Sequence, residues 1–185
     1  MTAVVALLRA VNVGGTGKLA MADLAALLTS LRYAGVKTVL QSGNAVFAAA
    51  EPAGAALEAT LEAAVAERLG VKTEFFVRSA REWNAIVAHN PYPDAAKNDP
   101  GRLIVTTFKG IPKAADVAAL QAAIPGPETM TAGGKHAYFI YPDGQGTSKL
   151  TNALIERKLG VRCTARNWNT VLKLAAAAAA LGSDG

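Results

Sequence analysis

The chain has little of the material from which many catalytic and metal sites are built. Among its 185 residues there are two histidines, His89 and His136, and a single cysteine, Cys163. One cysteine cannot form an internal disulfide, and the two histidines lack the spacing of metal ligands. The Gly-x-Ser-x-Gly motif of many hydrolases is also missing. We therefore expect no metal and no cofactor, and no catalytic residue can be named.

Long apolar segments and blocks of like charge are missing as well. Polar residues interrupt every apolar run before it reaches membrane-spanning length, and the alanine run 175–180 is too short and too weakly apolar. Because nothing resembles a secretory signal, we expect a cytoplasmic protein without membrane association. The formal net charge is +5, but the cations are spread along the chain among Asp and Glu, which is typical of ordinary soluble proteins. The oligomeric state stays open.

Hydrophobic periodicity predicts two similar halves. The elements predicted for the first half are a strand at 4–8, a helix from Met21 that ends at Gly35, strands at 36–40 and 45–47, a helix at 57–69, a strand at 72–77 and a helix from Ser79. Those predicted for the second half are a strand at 103–108, a helix at 115–124, strands at 128–131 and 137–141, a helix at 150–159, a strand at 161–163 and a helix at 166–181.

This order predicts an α+β fold of two ferredoxin-like (split βαβ, βαββαβ) subdomains in tandem, each followed by a helix. We place the first subdomain at 1–90, a linker at 91–101 and the second subdomain at 102–185. Short blocks support a duplication, since 67–71 resembles 156–161 and Arg81–Asn84 resembles Arg166–Asn169. Chance similarity of helix ends is the alternative.

Two polar loops are expected to meet at one end of the first predicted sheet. In a split βαβ unit the exit of the first strand and the hairpin after the second strand lie at the same end. The segment Arg9–Lys18 should therefore lie beside the turn Gln41–Asn44, and converging polar loops favour a binding site. The candidate ligand-binding residues at this end are Arg9, Asn12, Gly14, Gly15, Lys18, Gln41, Ser42 and Asn44.

The glycine-rich part of this segment resembles a phosphate loop only in part. A Walker motif needs glycine five residues before Gly17, where the chain has Asn12, and Ser or Thr after the lysine, where it has Leu19. The pattern therefore does not predict a nucleoside triphosphatase. Backbone N–H groups at a helix start, together with Lys18 and Arg9, could still hold a phosphate or carboxylate. A loop whose glycines serve only the turn is the alternative.

A second anion site is conceivable where segment 144–149 enters a helix. Thr147 or Ser148 is the expected N-cap of this helix. Lys149 and Asn152 would then be the ligand-binding side chains. Capping alone, without a ligand, is the alternative.

The segment 164–170 packs two asparagines, an arginine and a tryptophan into a predicted helix start. We expect Thr164 to cap this helix and Trp168 to lie in the core. Arg166, Asn167 and Asn169 either line a cleft or tie the two halves together.

Six blocks of the chain, taken in order, resemble the bacterial domain-of-unknown-function family 1697. They are Arg9–Gly15, Met21, Gln41–Asn44, Ser148–Asn152, Glu156–Gly160 and Arg166–Thr170. The resemblance covers nearly the whole chain, with departures at Ala10, where Gly is expected, and at Thr147, where Arg or a similar residue is expected. It implies an α+β fold and a small cytosolic protein, and it carries no reaction.

We therefore expect a binding protein for a phosphate-bearing small ligand, a nucleotide or a nucleic acid, acting through the Arg9–Lys18 and Gln41–Asn44 loops. A metal-independent enzyme that uses the same cleft on a small polar metabolite is one alternative. A partner-binding module is the other.

Overall fold

The computed structural model describes residues 1–14 and 17–182, and its chain divides into two compact units. The first unit holds residues 1–88 together with the part of the last helix that begins at Leu172, and the second holds residues 89–171.

The elements of the first unit are β1 (Thr2–Leu8), α1 (Met21–Ser30), β2 (Ala34–Thr38), β3 (Asn44–Ala49), α2 (Ala55–Leu69), β4 (Phe75–Ser79) and α3 (Ala80–Ala88). Those that follow are α4 (Pro93–Asn98), β5 (Leu103–Phe108), α5 (Ala114–Ala122), β6 (Thr129–Ala132), β7 (His136–Ile140), α6 (Asn152–Leu159), β8 (Cys163–Asn167) and α7 (Trp168–Gly182). A short 3₁₀ turn, Gln145–Thr147, lies between β7 and α6. The helix α4 lies inside the segment that the sequence presents as a plain connector.

Each unit contains a four-stranded antiparallel sheet. The strand orders are β2-β3-β1-β4 and β6-β7-β5-β8, which is the order of a ferredoxin-like unit in both cases. The predicted tandem of ferredoxin-like subdomains is confirmed. Val5 pairs with Arg78 and Val105 pairs with Arg166, so Arg166 occupies in β8 the position that Arg78 occupies in β4.

Strand β1 is buried on both faces, as its uninterrupted apolar run predicts. Val4, Ala6 and Leu8 belong to a core that includes α1 and α2, while Val5 and Leu7 on the opposite face are also buried. The second unit has a corresponding core on one face of its sheet, including β5, β7 and α6. Both units therefore have enough apolar packing to hold their sheets and the loops at the sheet ends.

The predicted role of Gly35 as the end of the first helix is wrong. Helix α1 ends at Ser30, and Arg32, with φ 65°, makes the left-handed reversal that glycine was expected to make. Gly35 lies in β2, where a Cβ would collide with the side chain of Leu181. This glycine is needed because the C-terminal helix approaches closely.

The predicted boundary between the last strand and the last helix is also wrong. Residues 163–167 pair with β5 as β8, and α7 begins only at Trp168. The long-range pairing outweighs the local helical pattern, as it often does for sheet edges. Asn167 caps α7, because its Oδ1 accepts from the N–H of Thr170 at 3.0 Å, so Thr164 is not the cap. The counterpart of Arg166 is consequently Arg78 and not Arg81.

Within the residues described, no helix combines the length and the apolar character needed to cross a bilayer.

Candidate functional site

The structure brings the two polar loops of the first unit together at one end of its sheet. The N–H of Leu8 donates to the carbonyl of Gly43 at 2.8 Å, at the exit of β1. Farther along the loop, Asn12 Nδ2 donates to the carbonyl of Gln41 at 2.9 Å. We call residues 9–14, 17–18 and 40–44 the first tip. Gly15 is also a candidate site residue, but it lies outside the described residues.

The side chain of Asn12 stabilises the first tip through hydrogen bonds to backbone groups. The residue adopts a positive φ of 55°, which asparagine tolerates better than most residues. Its Nδ2 also donates to the carbonyl of Leu19 at 2.7 Å, and its Oδ1 accepts from the N–H of Leu19 at 2.9 Å. The side-chain amide thus crosslinks the loop to itself and to the hairpin. Asn12 therefore holds the two loops of the first tip together.

The hairpin is held by two further residues. Asn44 is fully buried, and its Nδ2 donates to the carbonyl of Val39 at 2.7 Å and to Ser42 Oγ at 3.0 Å. Gly43 has φ 83°, and a Cβ there would collide with Val11 and lie 3.0 Å from the Cβ of Leu8. The hairpin therefore needs glycine at position 43 both for its backbone conformation and for space.

The positive charge of the first tip is partly neutralised by a residue that sequence reasoning missed. Arg9 Nη1 lies 3.8 Å from Glu74 Oε2, and the two side chains are 28% and 29% exposed. The backbone joins the same two residues, because the N–H of Arg9 donates to the carbonyl of Glu74 at 2.9 Å. Leu8 pairs with Phe75 in the antiparallel pairing of β1 with β4. Because Arg9 follows Leu8 and Glu74 precedes Phe75, a prediction of this pairing would have placed Glu74 beside Arg9. Lys18 is exposed.

The surface of the first tip combines polar and apolar groups. Gln41 and Ser42 are exposed, and so is Gly14, whose φ is 58°. Val13 is 59% exposed and Leu40 is 47% exposed. Val13 follows Asn12 in the chain, and Leu40 precedes Gln41, whose carbonyl accepts from Asn12. The sequence signals only the polar part, because an isolated valine or leucine beside a glycine-rich loop looks like ordinary core material.

The second unit has the same backbone contacts at its corresponding end but different side chains. The N–H of Phe108 donates to the carbonyl of Lys135 at 2.9 Å, and that of Lys109 donates to the carbonyl of Arg162 at 3.0 Å. Arg162 therefore stands where the first unit has Glu74. It pairs with Glu156 at 3.1 Å.

The remaining candidate residues belong to the second unit. Arg166 is 9% exposed, and its Nη1 donates to Thr164 Oγ1 at 2.9 Å and to the carbonyl of Ala165 at 2.8 Å. Burial lowers the pKa of its guanidinium to about 10. Asn169 is exposed on α7. Arg166 is thus a buried strand residue, in contrast to the expected position at a helix start.

The entry to α6 differs from its prediction. Thr151 is the N-cap, because its Oγ1 accepts from the N–H of Leu154 at 3.2 Å, so neither Thr147 nor Ser148 caps this helix. Lys149 is exposed and lines a cavity of about 210 Å³, whereas Asn152 does not line it. The buried Oδ1 of Asn152 accepts no hydrogen bond from the described residues.

Comparison with known families and structures identifies the family of the chain. The family model described as "Protein of unknown function (DUF1697)" matches residues 1–138. The chain belongs to this family. A conserved bacterial protein, SP0830 from Streptococcus pneumoniae, is 22% identical over 96% of this chain and 98% of that chain, with a TM-score of 0.74. At this identity the DUF1697 chain shares a fold with that protein, and no activity follows. No curated protein matches the chain.

Proposed function

We propose that this protein is a binding protein for a phosphate-bearing ligand, and that the ligand is a single-stranded nucleic acid held at the first tip. The observation that carries the proposal is the crosslink made by Asn12, which fixes two loops and leaves their outer side chains exposed. A rigid scaffold beneath exposed loop side chains is the usual construction of a binding site.

The exposed groups suit a strand that presents both phosphates and unstacked bases. Lys18 and Arg9 supply cations for phosphates, and the formal net charge of +5 favours approach of a polyanion. Gln41 and Ser42 supply hydrogen-bonding groups for base edges. Val13 and Leu40 supply apolar surface against which bases can rest.

Salt-dependent binding tests this proposal. Fluorescence anisotropy of a labelled single strand of about 12 nucleotides, as RNA and as DNA, gives affinity over a range of salt concentrations. Lys18→Ala should weaken binding and reduce the salt slope by about 0.7 for the lost phosphate contact. Lys158→Ala removes an exposed lysine from α6 and should change neither quantity.

Glu74 gives a variant with the opposite expected sign. Glu74→Gln removes the carboxylate that partly neutralises Arg9, so it should strengthen binding and steepen its salt dependence. Binding that is absent at low salt, or that responds equally to the Lys18 and Lys158 variants, would contradict the proposal. Mononucleotides in the same assay test the small-ligand form of the hypothesis.

A further inference from the structure

Two loops at one end of the first sheet are longer than their counterparts in the second unit. The connection from β1 to α1 has twelve residues (9–20), whereas the one from β5 to α5 has five (109–113). Four residues (71–74) separate the glycine that ends α2 from the start of β4, and two (161–162) separate the glycine that ends α6 from β8. Ordering additional loop residues costs conformational entropy, and binding residues are concentrated in such loops.

The two longer loops are joined by direct contacts. The Oγ1 of Thr73 donates to the carbonyl of Arg9 at 2.8 Å, and it lies farther, at 3.5 Å, from the carbonyl of Glu74. The N–H of Arg9 donates to the carbonyl of Glu74, so residues 73 and 74 hold both backbone polar groups of Arg9. A Cβ on Gly17 would lie 3.6 Å from Val71 Cγ1, which shows a second contact between these loops. The segment 71–74 therefore forms a third loop beside the first tip.

This third loop brings another cation to the first tip. Lys72 is exposed and follows Val71, while Lys18 is exposed and follows Gly17. Because Val71 and Gly17 lie side by side, the two lysines start from neighbouring positions of the backbone. One cation neutralises about one phosphate of a bound strand, so neighbouring lysines suit two consecutive phosphates.

We propose that the loop 71–74 is part of the ligand site of the first tip. Lys72 contacts the phosphate next to the one that Lys18 contacts, and Thr73 is a positioning residue that acts through Arg9. This inference rests on the function proposed above. It narrows the ligand to a strand that carries at least two consecutive phosphates.

The salt dependence of binding to the labelled 12-nucleotide strand tests the role of Lys72. Lys72→Ala should reduce the salt slope by about 0.7, and the double variant with Lys18→Ala should reduce it by about 1.4. Lys158→Ala, an exposed charge change in α6, should leave the slope unchanged. In competition with the same label, a 5′-phosphorylated dinucleotide should bind more tightly than a mononucleotide, and Lys72→Ala should remove this advantage.

A hydroxyl exchange tests the role of Thr73. Thr73→Val keeps the shape of the side chain but removes the donor to Arg9, so it should weaken binding roughly threefold to tenfold. Thr73→Ser restores the hydroxyl and should restore the affinity. Because Thr73 acts through Arg9, Thr73→Val should cause no additional loss in an Arg9→Ala background. Thr60→Val, which removes a hydroxyl bonded within α2, is the matched control and should not change binding.

The outcomes separate this inference from the function on which it rests. Absence of binding at low salt overturns both. A salt slope that Lys18→Ala reduces and Lys72→Ala leaves unchanged overturns only the role of the third loop. The positioning role of Thr73 is overturned if Thr73→Ser binds as weakly as Thr73→Val, or if Thr73→Val and Arg9→Ala weaken binding independently. Urea unfolding of each variant identifies any loss of affinity that comes from misfolding.

Discussion

The two units place an arginine at the same position of an edge strand, but they surround it differently. Arg78 in β4 is 5% exposed and its Nη1 lies 3.8 Å from the carboxylate of Glu58. Burial lowers the pKa of Arg78, and Glu58 and Glu82 oppose this shift. For Arg166 in β8, burial alone lowers the pKa, to about 10. The duplicated fold therefore keeps the buried cation while changing its electrostatic support.

The length of one helix accounts for this difference. Helix α2 has 15 residues and α6 has 8, and both end at a left-handed glycine, Gly70 and Gly160. Glu58 lies as many residues before Gly70 as Ser148 lies before Gly160, so the two residues occupy corresponding positions. The second unit thus has a loop where the first unit has helical turns and a structural glutamate. With the shorter helix, no carboxylate occupies the position in α6 that Glu58 occupies in α2.

The carboxylates of the first unit also protect its sheet edge. Three outward N–H groups of β4 donate to glutamates: Phe75 to Glu62, Val77 to Glu58 and Ser79 to Glu82, each at 2.8 Å. In β8 the N–H of Cys163 donates to Glu156 at 2.9 Å. Because unpaired edge strands invite association with other strands, the first unit is the better protected of the two at these positions.

The largest expected effect comes from removing the carboxylate that supports Arg78. Glu58→Gln removes the carboxylate that lies 3.8 Å from the buried guanidinium of Arg78, and breaking such a pair typically costs about 3–5 kcal/mol. In the second unit, Thr164→Val removes a neutral acceptor of Arg166 and should cost about 1 kcal/mol. Urea unfolding of the two variants measures the difference in free energy of unfolding. Equal losses would show that the two arginines have equivalent support.

A smaller effect is expected at the hairpins of the two sheet ends. Gly43→Ala forces a side chain into Val11 at a positive φ, and it should cost about 1–3 kcal/mol. Lys135 is the counterpart of Gly43, since its carbonyl accepts from Phe108 as that of Gly43 accepts from Leu8. Lys135→Ala should stay within about 0.5 kcal/mol. Thermal or urea unfolding of both variants measures the two losses of free energy of unfolding. A loss for Gly43→Ala as small as that for Lys135→Ala would mean that the first tip tolerates repacking.

The sequence predicts the fold more fully than it predicts the sites, for physical reasons visible at particular residues. Apolar periodicity identifies β1, α2 and the duplicated order, because the same pattern decides which side chains are buried. Ser79 and Glu82 form a capping box at the predicted start of a helix, with Ser79 Oγ accepting from the N–H of Glu82 at 3.2 Å. Such local signals need no tertiary context.

The misplaced elements and the missed site residues depend on distant contacts. The pairing of β8 with β5 decides that Arg166 lies in a strand, and no local pattern shows this. Glu74 partly neutralises Arg9 only because folding places the two side chains together. The sequence predicts that Asn12 lies where the two loops meet, but its hydrogen bonds to Leu19 and Gln41 form only in the folded chain.

An effect that appears only at alkaline pH extends the comparison to the opposite faces of the two sheets. Val5 pairs with Val46 and Val105 pairs with Tyr138, so a tyrosine in the second unit replaces a valine of the first. Burial raises the pKa of Tyr138 to about 12, from an ordinary value near 10. The folded protein then retains this proton while the unfolded chain releases it, so stability is fully present below pH 10 and falls as the pH rises towards 12.

Tyr138→Phe should therefore flatten the alkaline loss of stability by up to about 1.4 kcal/mol per pH unit between pH 10 and 12. Urea unfolding over this range measures the slope. Tyr33→Phe is the matched variant of the first unit, where burial and the charge of Glu51 also raise the tyrosine pKa. A direct check is the tyrosinate absorbance of the folded protein, which should lose one late-titrating group in each variant. A Tyr138→Phe slope identical to that of the parent protein would show that the second sheet face admits water at this position, and the contrast with Val46 would then have no energetic consequence.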